Sequence, residues 1–436
     1  MSEPLRRPPS SFFRWAMLIF VSLAMFGNYY VYDCIAPIAD LLSKQLGFSD
    51  SNIGLLQAIY SFPNLIMVLI GGYLVDRIGA RKAIFLFGTT CLIGATVTVL
   101  SGHLALMATG RLIFGIGAES LIVAVTTAIA KWFRGKELSF AFGINLMIAR
   151  AGTLMAQRSP TWTKLDFMPE WLKLAYTSWR TPLLISVGIA TFCVIGALIY
   201  WVMEVYAERK FELAQAGPTD KVVFDDLFHF GVSFWYIVAL CVVFYSAIFP
   251  FETFAYKFFM DAHGTSREMA GTIIGFLTLS TMFGTPLLGL FVDKVGRRAL
   301  LMMIGSVMLV PVYLLMAYTH TQVALYLPMA MMGIAFSLVP AVIWPSVAYI
   351  VDQNKLGTAY GLMTVVQNMG FFGFNLAIGW ANDYGHASDT NPAGYHLGMW
   401  IFSILGLLGM LFAFLLRQRE MGPHGHGLET ITAGKN

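Results

Sequence analysis

Apolar runs long enough to cross about 30 Å of hydrocarbon recur along the whole sequence, and nothing else in it constrains the fold as tightly. A bilayer core offers backbone amides no water, so a chain that crosses repeatedly must satisfy them within helices or a closed barrel. Runs of about twenty residues fit helices, since barrel strands need only about ten. Twelve spans are expected, at 15–37, 52–75, 83–101, 104–130, 138–157, 181–203, 232–258, 268–292, 299–319, 322–349, 358–380 and 397–416. Charged residues make up 12% of the chain and hydrophobic ones 57%, which leaves no separate soluble domain. Arg6, Arg7 and Arg14 precede the first run, yet no small-residue cleavage site follows before Asp33, so that run reads as a retained span.

Lysine and arginine set the expected orientation. If the N-terminus is cytoplasmic, inner segments hold about nineteen of them and outer segments about seven, the bias expected for two cytoplasmic termini. The net charge of +4 follows from this bias and gives no reason to invoke nucleic acid. Cys34, Cys91, Cys193 and Cys241 fall in or beside spans without CxxC or Cys/His spacing, so neither a metal nor a cofactor is expected. The short HGHG stretch near the C-terminus reads as a flexible tail.

Two loops repeat. GGYLVDRIGARK follows the second span and GLFVDKVGRRAL the eighth, half a chain apart. Aligning Gly72 with Gly289 superposes Asp76 on Asp293, Arg77 on Lys294, Gly79 on Gly296 and Arg81 on Arg298; Lys82 then meets Ala299. Glycines allow the tight reversal, the aspartate is expected to accept from amides at a helix N-terminus, and the basic residues face the cytoplasm. A six-span unit therefore occurs twice in parallel.

These features resemble the major facilitator superfamily. The resemblance implies an all-α membrane protein with twelve transmembrane helices in two six-helix bundles. The expected division is 1–203, a central linker 204–231, a second bundle 232–416 and a tail 417–436, with both signature loops acting as cytoplasmic gates. Several stretches are closer to a branch that carries dipeptides across lysosomal membranes: YYVYD at 29–33, GRLIFGIGAESL at 110–121, WFRGKELSFAFGINLMIARAG at 132–152, IFPFETFAYKFF at 248–259, and IWPSVAYIV with LGTAYGLMTVVQNMG within 343–370. That likeness implies transport of small peptides by a carrier of the uniporter type.

Charges inside spans narrow the reading. A charged side chain at mid-membrane costs roughly 2.5–3.5 kcal/mol on insertion scales, so it faces a partner or a watery cavity. Glu119 and Arg150 each lie roughly 18 Å from the cytoplasmic edge of adjacent antiparallel spans, at a rise of about 1.5 Å per residue. An ammonium can donate to Glu119, and the Arg150 guanidinium can grip a carboxylate through two parallel hydrogen bonds. Glu119 is thus expected to hold the amino end of a dipeptide and Arg150 its carboxyl end, as the matching residues of the dipeptide branch also imply. The plainer reading is a structural ion pair between two spans.

Arg111 matches the arginine of the superfamily's RxxxGxG pattern and serves either coupling or packing, while Gly110, Gly115, Gly117, Gly143 and Gly152 allow close helix contact. Asp33 is either a second amine contact, a proton acceptor or a residue at a wet helix end, with Tyr30 or Tyr32 beside it. Trp344, Gln367 and Asn368 are candidates for the opposite wall of the cavity; a tryptophan in a span is more commonly core or an interface anchor. Glu252 and Lys257 read as a gate or surface pair.

No nucleotide loop, catalytic triad order or metal-ligand spacing appears, so the chain is expected to be a carrier and not an enzyme. Its partners are a small-molecule substrate and the lipid bilayer; whether an accessory subunit joins them is not legible. An organic-anion exchanger, a proton-coupled symporter and a non-transporting receptor stand as rivals. The segment between the fifth and sixth spans carries no Asn-x-Ser/Thr sequon and the tail no dileucine signal, so a plasma membrane is the expected location, a lysosomal one the alternative.

Overall fold

A computed structural model describes residues 10–133, 137–210, 230–319, 321–352, 355–423 and 425–431, and contains no strand among them. The helices are α1 (Ser11–Asp33), α2 (Ala39–Leu46), α3 (Asp50–Ser61), α4 (Asn64–Ile78), α5 (Ala80–Leu100), α6 (Leu104–Phe133), α7 (Leu138–Arg158), α8 (Glu170–Lys173), α9 (Arg180–Lys210), α10 (Val232–His263), α11 (Arg267–Val295), α12 (Arg298–Tyr318), α13 (Tyr326–Ile350), α14 (Leu356–Tyr384) and α15 (His396–Glu420). Among the described residues ten stretches are long and apolar enough to cross a membrane, and eleven if the broken pair α3–α4 counts as one. The stretch expected as the fifth span, α7, is helical throughout but carries Asn145, Arg150, Thr153 and Gln157, which dilute its apolar content. Most of the expected linker, 211–229, lies outside the described residues.

Two spans are interrupted where proline enters. The first is expected to run unbroken over 15–37; instead α1 stops at Asp33, a 3₁₀ turn covers Ala36–Ile38, and α2 resumes at Ala39. Pro37 has no amide to continue the ladder, so the last carbonyls of α1 must find other donors. The second breaks between α3 and α4, beside Pro63.

Contacts group the chain into two compact units. The first comprises residues 1–35, 62–156 and 178–219; the second comprises 36–61, 157–177 and 220–436. Within the first unit α5 packs along α6 and α9, and α1 along α9. Small residues make this possible: a Cβ on Gly110 would stand 2.4 Å from the Thr98 amide, and one on Gly152 would stand 2.3 Å from the Phe26 carbonyl. Gly143, expected to serve similarly, has open space where its side chain would be. Within the second unit α12 packs on α15, α11 on α13, and α3 on α14.

Candidate functional site

The middle of α1 lies against both charge-bearing helices of the first unit. The Asn28 side chain donates to the Ala118 carbonyl at 3.3 Å, next to Glu119 on α6. Phe26 meets Gly152 of α7 two residues beyond Arg150, and Ser22 donates to Asn145 of α7 at 3.0 Å. These contacts bring Tyr29 to the place where the two charges converge. The Arg150 guanidinium carbon stands 5.8 Å from the centre of the Tyr29 ring, and Arg150, Glu119 and Asp33 all act electrostatically on the Tyr29 hydroxyl. Glu119, Arg150, Asp33 and Tyr29 are each only partly buried.

Asp33 lies four residues after Tyr29, one turn along the same helix face. Its carboxyl is flanked by Thr153, Arg150 and Arg111. Arg111, 1% exposed, donates to the Val31 carbonyl at 2.9 Å and to the Tyr32 carbonyl at 3.2 Å. A rigid cationic fork thus serves the carbonyls that the break in α1 releases, where the helix dipole also favours positive charge. Its guanidinium also lies over the Phe114 and Tyr32 rings, at 5.3 and 6.0 Å. Of the tyrosines expected near the site, Tyr30 is buried and Tyr32 is under Arg111. Tyr29 is absent from the expected set, although its i, i+4 spacing from Asp33 is there to be read in the sequence.

Trp344, Gln367 and Asn368 belong to the second unit. The Trp344 indole donates to the Tyr245 hydroxyl at 2.8 Å, and the Tyr360 hydroxyl donates to the Trp344 carbonyl at 3.1 Å. Tyr245, Phe249, Phe336 and Phe371 continue the aromatic cluster. Gln367 is buried, and Asn368 donates to the Thr364 carbonyl of its own helix at 3.0 Å.

Glu252 and Lys257 do not form a surface pair. Lys257 pairs with Asp50 at the start of α3, with the two side chains 13% and 2% exposed, while Glu252 accepts from Gln157 at 3.2 Å. Asp50 also accepts from Asn382 at 2.9 Å. The neighbouring Asp383 accepts the Asp50 and Ser51 amides at 2.8 and 2.9 Å, capping α3 from another helix. Arg267 donates to Asp40 at 2.6 Å and to the Pro37 carbonyl at 2.9 Å, and Thr278 donates to Gln157 at 2.6 Å. The sequence carries no signal for this network, because its charges meet partners that are remote along the chain.

The signature loops turn on glycine as expected: φ is +86° at Gly79 and +66° at Gly296. Asp76 and Asp293 sit in the last turns of α4 and α11, and Asp293 meets the Arg298 guanidinium at 3.3 Å instead of capping a helix. Gly72 and Gly289 have open space around them, and Arg77 donates to Tyr73 at 3.4 Å. Arg81 pairs with Glu208 of α9, whose Glu204 meets Lys131 at 2.6 Å. Lys294 is in the last turn of α11. Among the described residues no three His, Cys, Asp or Glu side chains come together as a metal site.

The sequence profile described as Major Facilitator Superfamily matches residues 21–375 and 254–432. The lysosomal dipeptide transporter MFSD1 of Danio rerio is 32% identical over 381 residues, covering 86% of this chain and 82% of that protein. Its Homo sapiens counterpart is 29% identical over 417 residues, covering 94% of this chain and 87% of that protein. Among solved structures, a bacterial homologue of the human lysosomal transporter Spinster, inward-facing and unoccupied, superposes with a TM-score of 0.74 at 18% identity, covering 94% of this chain and 98% of that one. That likeness concerns the fold.

Proposed function

From its membership of the major facilitator superfamily, a class of transporters and not of enzymes, we propose that this integral membrane protein carries dipeptides by alternating access as a uniporter. The observation that carries the reading is the convergence of Glu119 and Arg150 on Tyr29 in the first unit. A dipeptide is a zwitterion whose ends carry opposite charge. Glu119 takes the ammonium, and Arg150 takes the carboxylate through two charge-assisted hydrogen bonds. Asp33 and Tyr29 complete the polar surface, and Arg111 keeps the end of α1 in register with α6.

Trp344, Gln367 and Asn368 are the further substrate contacts in this reading, with the Trp344 indole held by the Tyr245 hydroxyl. The working bodies in this reading are the bundles 1–203 and 232–416 joined by the linker 204–231, and the signature loops around Asp76 and Asp293 serve as cytoplasmic gates. Asp50, Lys257 and Asp383 tie α3 to α10 and α14 within the second unit. The names of the relatives support a lysosomal membrane more than a plasma membrane; fluorescence of the tagged chain against organelle markers decides between them.

The test is uptake of labelled di- and tripeptides into proteoliposomes of the pure protein, with and without a pH gradient. Dipeptide counterflow that ignores the gradient is expected. Stimulation by the gradient would replace the uniporter with a proton symporter, and competition by monocarboxylates alone would replace the dipeptide with an organic anion. Absence of any counterflow would leave a receptor.

A further inference from the structure

Asn28 is 2% exposed within α1, one residue before Tyr29. Its Nδ2 donates to the Ala118 carbonyl of α6 at 3.3 Å, while its Oδ1 is buried with no hydrogen-bond partner. Stability does not explain such a residue. Ala118 lies inside α6, where its carbonyl already accepts an amide of the helix ladder, so Asn28 brings a second donor to a satisfied acceptor. The net gain from one such bond is matched or exceeded by the cost of an amide oxygen buried unpaired. A leucine branches in the same way and buries no polar atom.

What the bond fixes is register. Between the same two helices Arg111 donates to the Val31 carbonyl at 2.9 Å and to the Tyr32 carbonyl at 3.2 Å. Val31 and Tyr32 follow Asn28 by three and four residues on α1, and Ala118 follows Arg111 by seven on α6, so each set lies on one helix face. Two directional contacts at different heights set both the sliding and the rotation of the last turn of α1 against α6. Glycine contacts act differently. A Cβ on Gly152 would stand 2.3 Å from the Phe26 carbonyl and one on Gly27 2.9 Å from Cys193 Sγ, so these positions set how near α1 comes to α7 and α9 without any directional bond. Tyr29 and Glu119 are the next residues after Asn28 and Ala118, so the register of the first pair carries over to the second.

We propose that Asn28 is a positioning residue which, with Arg111, holds the last turn of α1 so that Tyr29 stays where Glu119 and Arg150 converge. Its consequence for transport rests on the dipeptide reading; its placement of Tyr29 does not.

The test compares Asn28→Leu and the smaller Asn28→Ala with the native chain, alone and combined with Tyr29→Phe. Melting of Asn28→Leu in detergent is expected to be unchanged or higher, while the dipeptide KM in counterflow rises about fivefold. In the Tyr29→Phe background the same substitution is expected to change KM less than about twofold, because its effect runs through that hydroxyl. Incorporated 3-fluorotyrosine gives a readout without substrate: the fluorine resonance that Tyr29→Phe removes is expected to shift in both Asn28 variants. If leucine does not fit, Asn28→Ala carries the same KM and resonance tests. A lower melting temperature with unchanged KM would make Asn28 an ordinary packing residue, and equal KM factors in the two backgrounds would show that it does not act through Tyr29. A shifted resonance in a chain that carries no dipeptide would sink the substrate reading and leave the positioning intact; an unmoved resonance overturns the positioning whatever the chain carries.

Discussion

Two clusters of charge are held in apolar surroundings, and they differ in what surrounds them. In the second unit Asp50, Asp383, Asp40 and Arg267 sit at helix ends, where backbone amides and carbonyls lack partners, and each makes short contacts to such groups or to a fixed counter-charge. In the first unit Glu119 and Arg150 lie within α6 and α7, where the backbone ladder is already complete. A charge at a helix end has a structural reason to be there. A charge at mid-helix needs another, and the proposed ligand role supplies one for Glu119 and Arg150.

The contrast can be broken most directly in the first unit. Glu119→Gln and Arg150→Ala should each lower dipeptide counterflow by roughly 100-fold or more, since each removes charge-assisted hydrogen bonds worth about 1.5–3 kcal/mol apiece; melting in detergent should move little. A large fall in melting temperature with residual transport would make them a structural pair. The reverse pattern belongs to the second unit. Lys257→Ala leaves the buried Asp50 carboxylate without its counter-charge, at a cost of about 3–5 kcal/mol, while Asp50→Asn combined with Lys257→Gln should recover most of it. Thermal melts of the two variants measure the difference, and dipeptide binding by calorimetry should survive in both.

Smaller effects sharpen the boundary of the site. Tyr29→Phe keeps the ring over Arg150 but removes the hydroxyl that Glu119 and Asp33 act on, so KM should rise by roughly three- to tenfold, the size of one hydrogen bond. Tyr30→Phe, in the packed interior, should leave KM unchanged in the same counterflow assay. Glu208→Gln is the smallest. Its pair with Arg81 is partly exposed, so the melting temperature should reflect no more than about 1 kcal/mol and less at high salt.

The two signature loops show how far a repeat can be read. Their glycines, with positive φ in both copies, were legible because only glycine makes such a turn cheaply. Their fastening was not legible. The first loop is tied by Glu208 on α9, the last long helix of its half, whereas the second is tied by a segment beyond α15 that folds back from a stretch expected to be loose. Glu429 and Glu420 carry no periodic signal, since their partners at Leu300, Arg417 and Ser233 are scattered along the chain. The break in the first span had a visible cause in Pro37. The use of Arg111 to serve Val31 and Tyr32 had none, because a donor about eighty positions away is found only by folding.

The amino-acid order alone determined that this chain lives in lipid, that its halves repeat, and which helix-interior charges need a reason. Those properties follow from hydrophobic length and from the cost of desolvating charge, and both are sums over local residues. Tertiary structure decided which side chains meet: that Tyr29 rather than Tyr30 faces Arg150, that Lys257 answers Asp50 rather than Glu252, and that the C-terminus closes a helix it never neighbours in sequence. Pairing depends on helix rotation and close approach, which glycines such as Gly152 permit but do not direct.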